Sequence, residues 1–364
     1  MKRRIPALLL ALLTVLAGSL ISPAWACGCG AMVPDEASRI GVDREASVVR
    51  WDGRSEEIVM RFTVGGDARR AAWIMPVPGR ATVGLGDAGL FPALTELTRP
   101  VHRTRTYFWP RDTDWPFAED RDRLVGAAPP GAAPPGAAPS VGVVGRERLG
   151  DFDVARLTAT DPDALRTWLE GNGFKLPDRL AAELKPYVDQ KWEYVAVRLA
   201  PRDQGRPLSG ELDPLRIRFD STRLVYPMRL SRLARTPQSL GLFVLAGHRM
   251  EPASAIGGAA PEVTFAGRIT PTGPLAALTG GKPVFLTAID QRFPDPSRID
   301  GDHELRATAE DTPYQRAVYR YEVLTVGGVP VWLLTVAGAL LTVAAGTALL
   351  IRHRHRHRRR AGSA

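Results

Sequence analysis

Two thiols lie one glycine apart, at Cys27 and Cys29 in PAWACGCGAMVP, and no other cysteine occurs in the 364-residue chain. Residues i and i+2 of an extended strand stand about 6–7 Å apart at Cα, and a turn at Gly28 brings such a pair into disulfide range. So small a ring is strained, and strained disulfides are the easily reduced ones. Three chemistries fit the pair: a local disulfide that pins the start of the mature chain, a thiol pair that exchanges with other thiols, and two thiolates that hold copper or zinc. The redox reading lacks a neighbour that would lower a thiol pKa, since no Lys or His lies within ten residues. The closed zinc site lacks ligands, because it needs four. His102, His248 and His303 have no ligand spacing to one another. Lipid attachment at Cys27 would want a Leu-like residue three places earlier and a small residue beside it, where Ala24 and Trp25 stand. Cys27 and Cys29 are therefore a candidate disulfide, with thiol-redox or metal handling as the alternative.

Other candidates are weaker. Asp300-Gly301-Asp302-His303-Glu304 places acidic groups at alternate positions, but without the turn glycine and terminal Glu of an EF-hand loop, and reads as a solvated acidic loop. Trp109 and Trp115, in FWPRDTDWPF, suit a carbohydrate or peptide surface, although buried aromatics are the simpler expectation. Asp151/Asp153 and Asp161/Asp163 have the spacing that helix capping alone produces. No nucleophile elbow, zinc-protease helix, phosphate loop or dinucleotide fingerprint occurs. The chain shows no catalytic residue, cofactor or metal motif. A hydrolase with scattered catalytic groups would leave no local trace, so the reading leans away from an enzyme without closing the matter.

The state of the thiols depends on where the chain places them. Residues 1–26 have the form of a signal peptide: Lys2, Arg3 and Arg4, an apolar run from Leu8 to Ile21, and Ala24-Trp25-Ala26 as a cleavage site. That run is short of the ~20 residues a span needs. A second apolar run, Val329 to Ile351, holds no charge. It is about 34 Å long as a helix, enough for a bilayer. Arg352, Arg354, Arg356, Arg358, Arg359 and Arg360 follow at once and hold that end in the cytoplasm. The expected topology is a single-pass plasma-membrane protein, N-terminal domain outside, basic tail inside. Gly338, Thr342 and Gly346 fall on one helix face, a small-residue seam that suits a helix-mediated dimer.

The net charge of +9 belongs to this targeting. Lys2, Arg3 and Arg4 carry three charges and the tail arginines six, so residues 27–351 are neutral. Nucleic-acid binding is excluded as an explanation of the basic pI. The partners that remain are the lipid bilayer and an envelope protein or cell-wall ligand.

Between signal and anchor the chain is long enough to bury one core or two. Residues 126–140, GAAPPGAAPPGAAPS, form a linker or projecting loop, because paired prolines forbid helix and central strand. Before it, 27–125 is β-rich: strands are expected over 46–51, 57–64 and 71–77, with an Asp52-Gly53 hairpin turn, then a short helix over 91–97. After it, 141–328 is α+β. Helices are expected after Asp161-Pro162-Asp163 and over 177–188, then strands over 194–199, 215–219, 225–230, 242–245, 263–265 and 284–289. The fold class is α+β: a mainly antiparallel β ectodomain with a helical insertion and one C-terminal transmembrane helix over 329–351, ahead of the tail at 352–364.

In CGCGAMVP, SVVRWDGRSEEIVMRFTV, AAWIMPVP, WLEGNGFKLPDRLAAELKPYV with KWEYVAVRL, and PLRIRF with VYPMRLS, the chain resembles an exported bacterial family called domain of unknown function 2330. The resemblance covers most of residues 27–325. It implies an exported domain, often followed by one membrane helix, and carries over no reaction. The expected function is a binding or scaffolding module of the cell envelope.

Overall fold

The computed structural model describes residues 30–35, 38–111, 114, 147–149, 152–157, 162–199 and 207–361. Cys27, Cys29, the signal segment, Trp115 and the Pro-rich repeat lie outside them. The chain divides into two compact units, one of residues 1–99 and 140–316, the other of residues 100–139 and 317–364.

The first unit is layered. Strands β1 (Ala31–Pro34), β4 (Ala71–Val77), β9 (Glu193–Leu199), β8 (Phe152–Leu157) and β7 (Glu147–Leu149) form one antiparallel sheet in the order β1-β4-β9-β8-β7. A second, larger sheet is built on the long hairpin of β2 (Ile40–Trp51) and β3 (Ser55–Gly66). Asp52 makes that hairpin's turn, its carboxylate accepting the amides of Arg54 and Ser55 while Gly53 takes φ +91°. Next to β3 run β11 (Leu215–Asp220), β5 (Thr82–Leu85) and the short β10 (Gly210–Glu211). Next to β2 run β13 (Gln238–Ala246), β16 (Val284–Phe293), β15 (Glu262–Ile269) and β18 (Tyr314–Gln315). Within this sheet only the β13–β2 pairing is parallel among the described residues.

Side-chain parity assigns the layers. On β4, Trp73, Met75 and Val77 enter the core between the sheets, while Ala72 and Ile74 face the other way. That is why AAWIMPV is apolar without alternation: both its faces are covered. The outer face of the smaller sheet packs on α2 (Pro162–Gly171) and α3 (Asp178–Asp189) through Leu165, Leu169, Leu180 and Leu184. The outer face of the larger sheet, through Val48, Val59 and Leu245, packs on α1 (Leu90–Leu97) and α4 (Gly273–Thr279). The result is helices, sheet, sheet, helices. Each large side chain removed from water in these layers contributes about 1.5–3 kcal/mol. Phe62 meets Trp73 across the central layer at 5.5 Å between ring centroids.

Strands on either side of residues 126–140 share both sheets, so the two portions have common cores. The architecture is the α+β, mainly antiparallel one with an inserted helical pair. In the described residues it is 26% helical and 42% strand.

A three-stranded sheet, β12 (Leu224–Tyr226), β17 (His303–Ala307) and β14 (Met250–Pro252), adds Leu224, Tyr226, Met250 and Leu305 to the central core. The strand expected over 225–230 is cut short here. It ends at Tyr226, and Arg229–Leu233 form a 3₁₀ turn. Pro227 cannot donate to a ladder. Beyond it, one carboxylate oxygen of Asp302 accepts the amides of Met228 at 2.8 Å and Arg229 at 2.9 Å, which bends the chain out of the sheet.

The second unit holds a parallel two-stranded ribbon, β6 (Val101–Tyr107) with β19 (Ala317–Val323). A tight hairpin of β20 (Thr325–Val326) and β21 (Val329–Pro330) follows, then the helix α5 (Val331–Ala361). The helix begins two residues after the expected Val329, which instead pairs with Val326 across a Gly327-Gly328 turn with φ +59° and +80°. Such a turn needs residues that tolerate positive φ at both centres.

Candidate functional site

Two places in the molecule concentrate features that packing alone does not require: the C-terminal helix, and a knot of polar side chains at β12.

From Leu333 to Ile351 almost every residue of α5 is exposed, with Leu340, Leu341, Val343, Leu349 and Leu350 each 65–72% accessible. Exposing one such side chain forgoes about 1.5–3 kcal/mol. An exposed apolar run this long marks a surface that suits an apolar medium or a partner. Its polar groups are already satisfied within the helix. Thr342 donates its hydroxyl to the Gly338 carbonyl at 2.7 Å, and Thr335 and Thr347 bond back to Trp332 and Val343 at 2.8 Å. No unmet threonine donor is presented to lipid. At Gly338 and Gly346 an added Cβ would meet nothing within 4 Å, so the seam they form with Thr342 is open. The helix passes Ile351 and continues through Arg352, Arg354, Arg356, Arg358, Arg359 and Arg360 to Ala361. Val331–His355 is thus a candidate membrane span, fitting a membrane-anchored protein.

The chain emerges from the cysteines at Gly30, against the smaller sheet. A side chain at 30 would strike the Ile74 carbonyl and the Trp73 indole, so only glycine fits between Cys29 and β1.

The polar knot was not apparent from sequence. Glu45 and Ser47 of β2 and Glu56 of β3 share parity with Val49, Ile58 and Met60 and so face the central core. Tyr226 enters from β12, with 0% of its surface accessible. Its hydroxyl donates to the Glu45 carboxylate, so the 2.6 Å contact with Ser47 has the serine as donor. The next residue back, Val225, donates its amide to Glu56 at 3.2 Å. Directly across from Tyr226 in the antiparallel register is His303, also buried, its ring 6.4 Å from that of Phe293. Desolvation pushes the Glu56 carboxyl well above the ordinary carboxylate range, against the opposing effect of the Val225 bond. Desolvation also holds His303 down at about 4. Burial thus favours the neutral form of both groups. The knot's members are at most 4% accessible, so no substrate atom reaches them. Its chemistry is structural: it joins the three-stranded sheet to the larger one through the Tyr226 and Val225 hydrogen bonds, while Glu56 Oε1 and His303 Nδ1 are buried without a hydrogen-bond partner among the described residues. The period-2 pattern of SEEIVMRF held a signal, because it turns Glu56 to the same side as Ile58 and Met60.

The acidic loop departs from its expected solvated state. Asp302 accepts the Tyr187 hydroxyl at 2.7 Å in addition to the two amides of the 3₁₀ turn, so its carboxylate is a structural cap joining α3, the turn and β17. Among the described residues no three His, Cys, Asp or Glu side chains converge as metal ligands. Trp109 departs too: it is 66% exposed, not buried beside a linker.

A family model described as "Uncharacterized protein conserved in bacteria (DUF2330)" matches residues 23–306. The chain belongs to this family. The matched span starts just ahead of the cysteines and stops in β17, and so takes in most of the first unit while leaving the ribbon strand β19 and the anchor outside. No match to a curated protein was found. Among solved structures, the crystal structure of baculovirus P35 aligns over 74% of this chain and 95% of its own. The identity is 9% and the TM-score 0.31, and that likeness carries no argument about fold or function.

Proposed function

We propose that the protein is a single-pass, extracytoplasmic module of the bacterial cell envelope, exported by a cleaved signal at residues 1–26 and held at the plasma membrane by α5, with its basic tail in the cytoplasm. Its ectodomain binds or scaffolds an envelope component, such as another membrane protein or a cell-wall ligand. The observation that carries this is the apolar helix, exposed at almost every residue from Leu333 to Ile351 with its threonine hydroxyls bonded back into the helix, running directly into six arginines. Supporting it are the neutral charge of residues 27–351 and a bacterial family whose matched region stops before the anchor. On the outer face Cys27 and Cys29 meet oxidising conditions, and we assign them a local disulfide beside β1.

The test is protease shaving of intact cells that carry the full chain with a tag after Ala364. The expected result is loss of the ectodomain and survival of a small tagged fragment of α5 and tail, while the same fragment disappears after permeabilisation. Full protection of the ectodomain in intact cells would overturn the topology. Cross-linking from the same cells then reads the binding role, with a reproducible envelope partner expected and an uncross-linked monomer counting against it.

A further inference from the structure

The ribbon of β6 and β19 has no layer on either face. From Val101 to Tyr107 and from Ala317 to Val323 every residue is exposed or half-buried. A lone two-stranded ribbon is marginal in water. This one is parallel, which fixes where its ends lie. Because Tyr107 is in register with Val323, the end of β6 stands at the same level as the end of β19, the strand that leads into the anchor.

Two hydrogen bonds make that level explicit. Leu324 donates its amide to the Tyr107 carbonyl at 2.8 Å, and Val331, the first residue of α5, donates its amide to the Leu324 carbonyl at 2.8 Å. Tyr107 is thus two strand spacings, about 10 Å, from the start of the membrane helix. The residues immediately after it are Phe108 and Trp109, edge to face at 5.1 Å and 36% and 66% exposed. Across the two bonds, the hairpin before the helix exposes Val326 and Val329, 63% and 42% accessible. One short level of the second unit therefore carries two aromatic rings and two valines in the open.

The turn that presents Trp109 is built, not loose. Asp114 accepts the Tyr107 hydroxyl at 2.6 Å and the Arg111 amide at 2.7 Å, and Arg111 stacks on Tyr107 and Tyr321 at 4.3 and 4.9 Å. Farther along the same face Arg105 stacks on Tyr319 at 3.9 Å. Aromatic tips with arginines behind them are the composition that settles at the headgroup level, where the ring finds an apolar edge and the guanidinium finds phosphate.

We propose that Phe108 and Trp109, with Val326 and Val329, form a second membrane contact that inserts into the headgroup layer of the bilayer spanned by α5. The contact tethers a segment more than 200 residues upstream of the anchor to the same membrane surface. It rests on the reading of α5 as a span.

Three positions separate the two ideas. A benzophenone amino acid is placed singly at Trp109, at Leu340 within the helix, and at His102, exposed at the opposite end of the ribbon in the same unit. Each full-length chain is reconstituted in phosphatidylcholine–phosphatidylglycerol vesicles, irradiated and examined by mass spectrometry for lipid adducts. Lipid adducts at 340 and 109, well above the background at 102, are the expected result. Adducts at 340 with none at 109, or with protein adducts alone at 109, overturn the second contact and leave the anchor standing. No lipid adduct at 340 overturns the span, and the second contact with it.

Discussion

Tyr226 reaches Glu45 and Ser47 with one hydroxyl, and the neighbouring amide of Val225 reaches Glu56. A buried acceptor deprived of its donor costs about 1–3 kcal/mol. Tyr226→Phe removes that donor and preserves the ring. It should therefore lower the denaturant midpoint of the full chain in detergent by a corresponding amount without changing its secondary structure. The two shifted groups of this region give opposite pH dependences. Glu56 is raised in the folded state, so its contribution is present below the unfolded value of 4.5 and is lost as pH climbs through the folded value. His303 is lowered from 6.5 to about 4, so its contribution is present above pH 6.5 and fades as pH falls toward 4. The full loss on that side is about 3 kcal/mol. Urea titrations between pH 7.5 and 4 should show the decline, and His303→Gln should flatten it. A slope unchanged in the variant would assign the acid sensitivity elsewhere. Glu56→Gln should instead raise stability at neutral pH, since it keeps an acceptor for Val225 and abolishes the penalty on the charged form.

At the scale of elements, one carboxylate decides a change of secondary structure. Asp302 holds Tyr187 of α3 and the two amides that open the 3₁₀ turn. Asp302→Ala strands three donors and should cost about 3 kcal/mol or more, while Asp302→Asn keeps an acceptor and should cost less. Thermal unfolding of the pair checks this, and equal losses would mean that the acceptor at 302 does not matter. Here lies the boundary of what the sequence could tell. The β2–β3 hairpin, β4, β9 and the two inserted helices were legible because their apolar periods and Asp-Gly or Asp-Pro punctuation are local. The end of β12 was not, because its cause sits some 75 residues downstream at Asp302. Strand β6 was not, because VHRTRTY is exposed on both faces and carries no apolar period to read. The knot was half legible: parity turns Glu56 inward, but nothing near it in sequence names Val225 as its donor or Tyr226 as the partner of Glu45.

For the whole molecule, everything about the thiols depends on which side of the membrane the chain is delivered to. On the proposed topology Lys2, Arg3 and Arg4 stay behind while the net-neutral domain crosses, and the arginines after Ile351 stop the transfer. If so, the signal is gone from the mature protein, Cys27 is its first residue, and the pair meets an environment in which disulfides persist. The ring would close through Gly28, just ahead of Gly30, where the chain passes close to Ile74 and Trp73. The mature N-terminal peptide should therefore begin at Cys27 and weigh two hydrogens less than its dithiol form, and dithiothreitol should restore those hydrogens readily because the ring is strained. A peptide that retains residues 1–26 removes the export argument. A peptide carrying a diacylglycerol, a bound metal or free thiols keeps export but replaces the disulfide with that chemistry. Cys27→Ser with Cys29→Ser, which exchanges one atom in each side chain, should leave α5 and the layered core intact. A double variant that failed to reach the membrane would show that the pair acts in delivery.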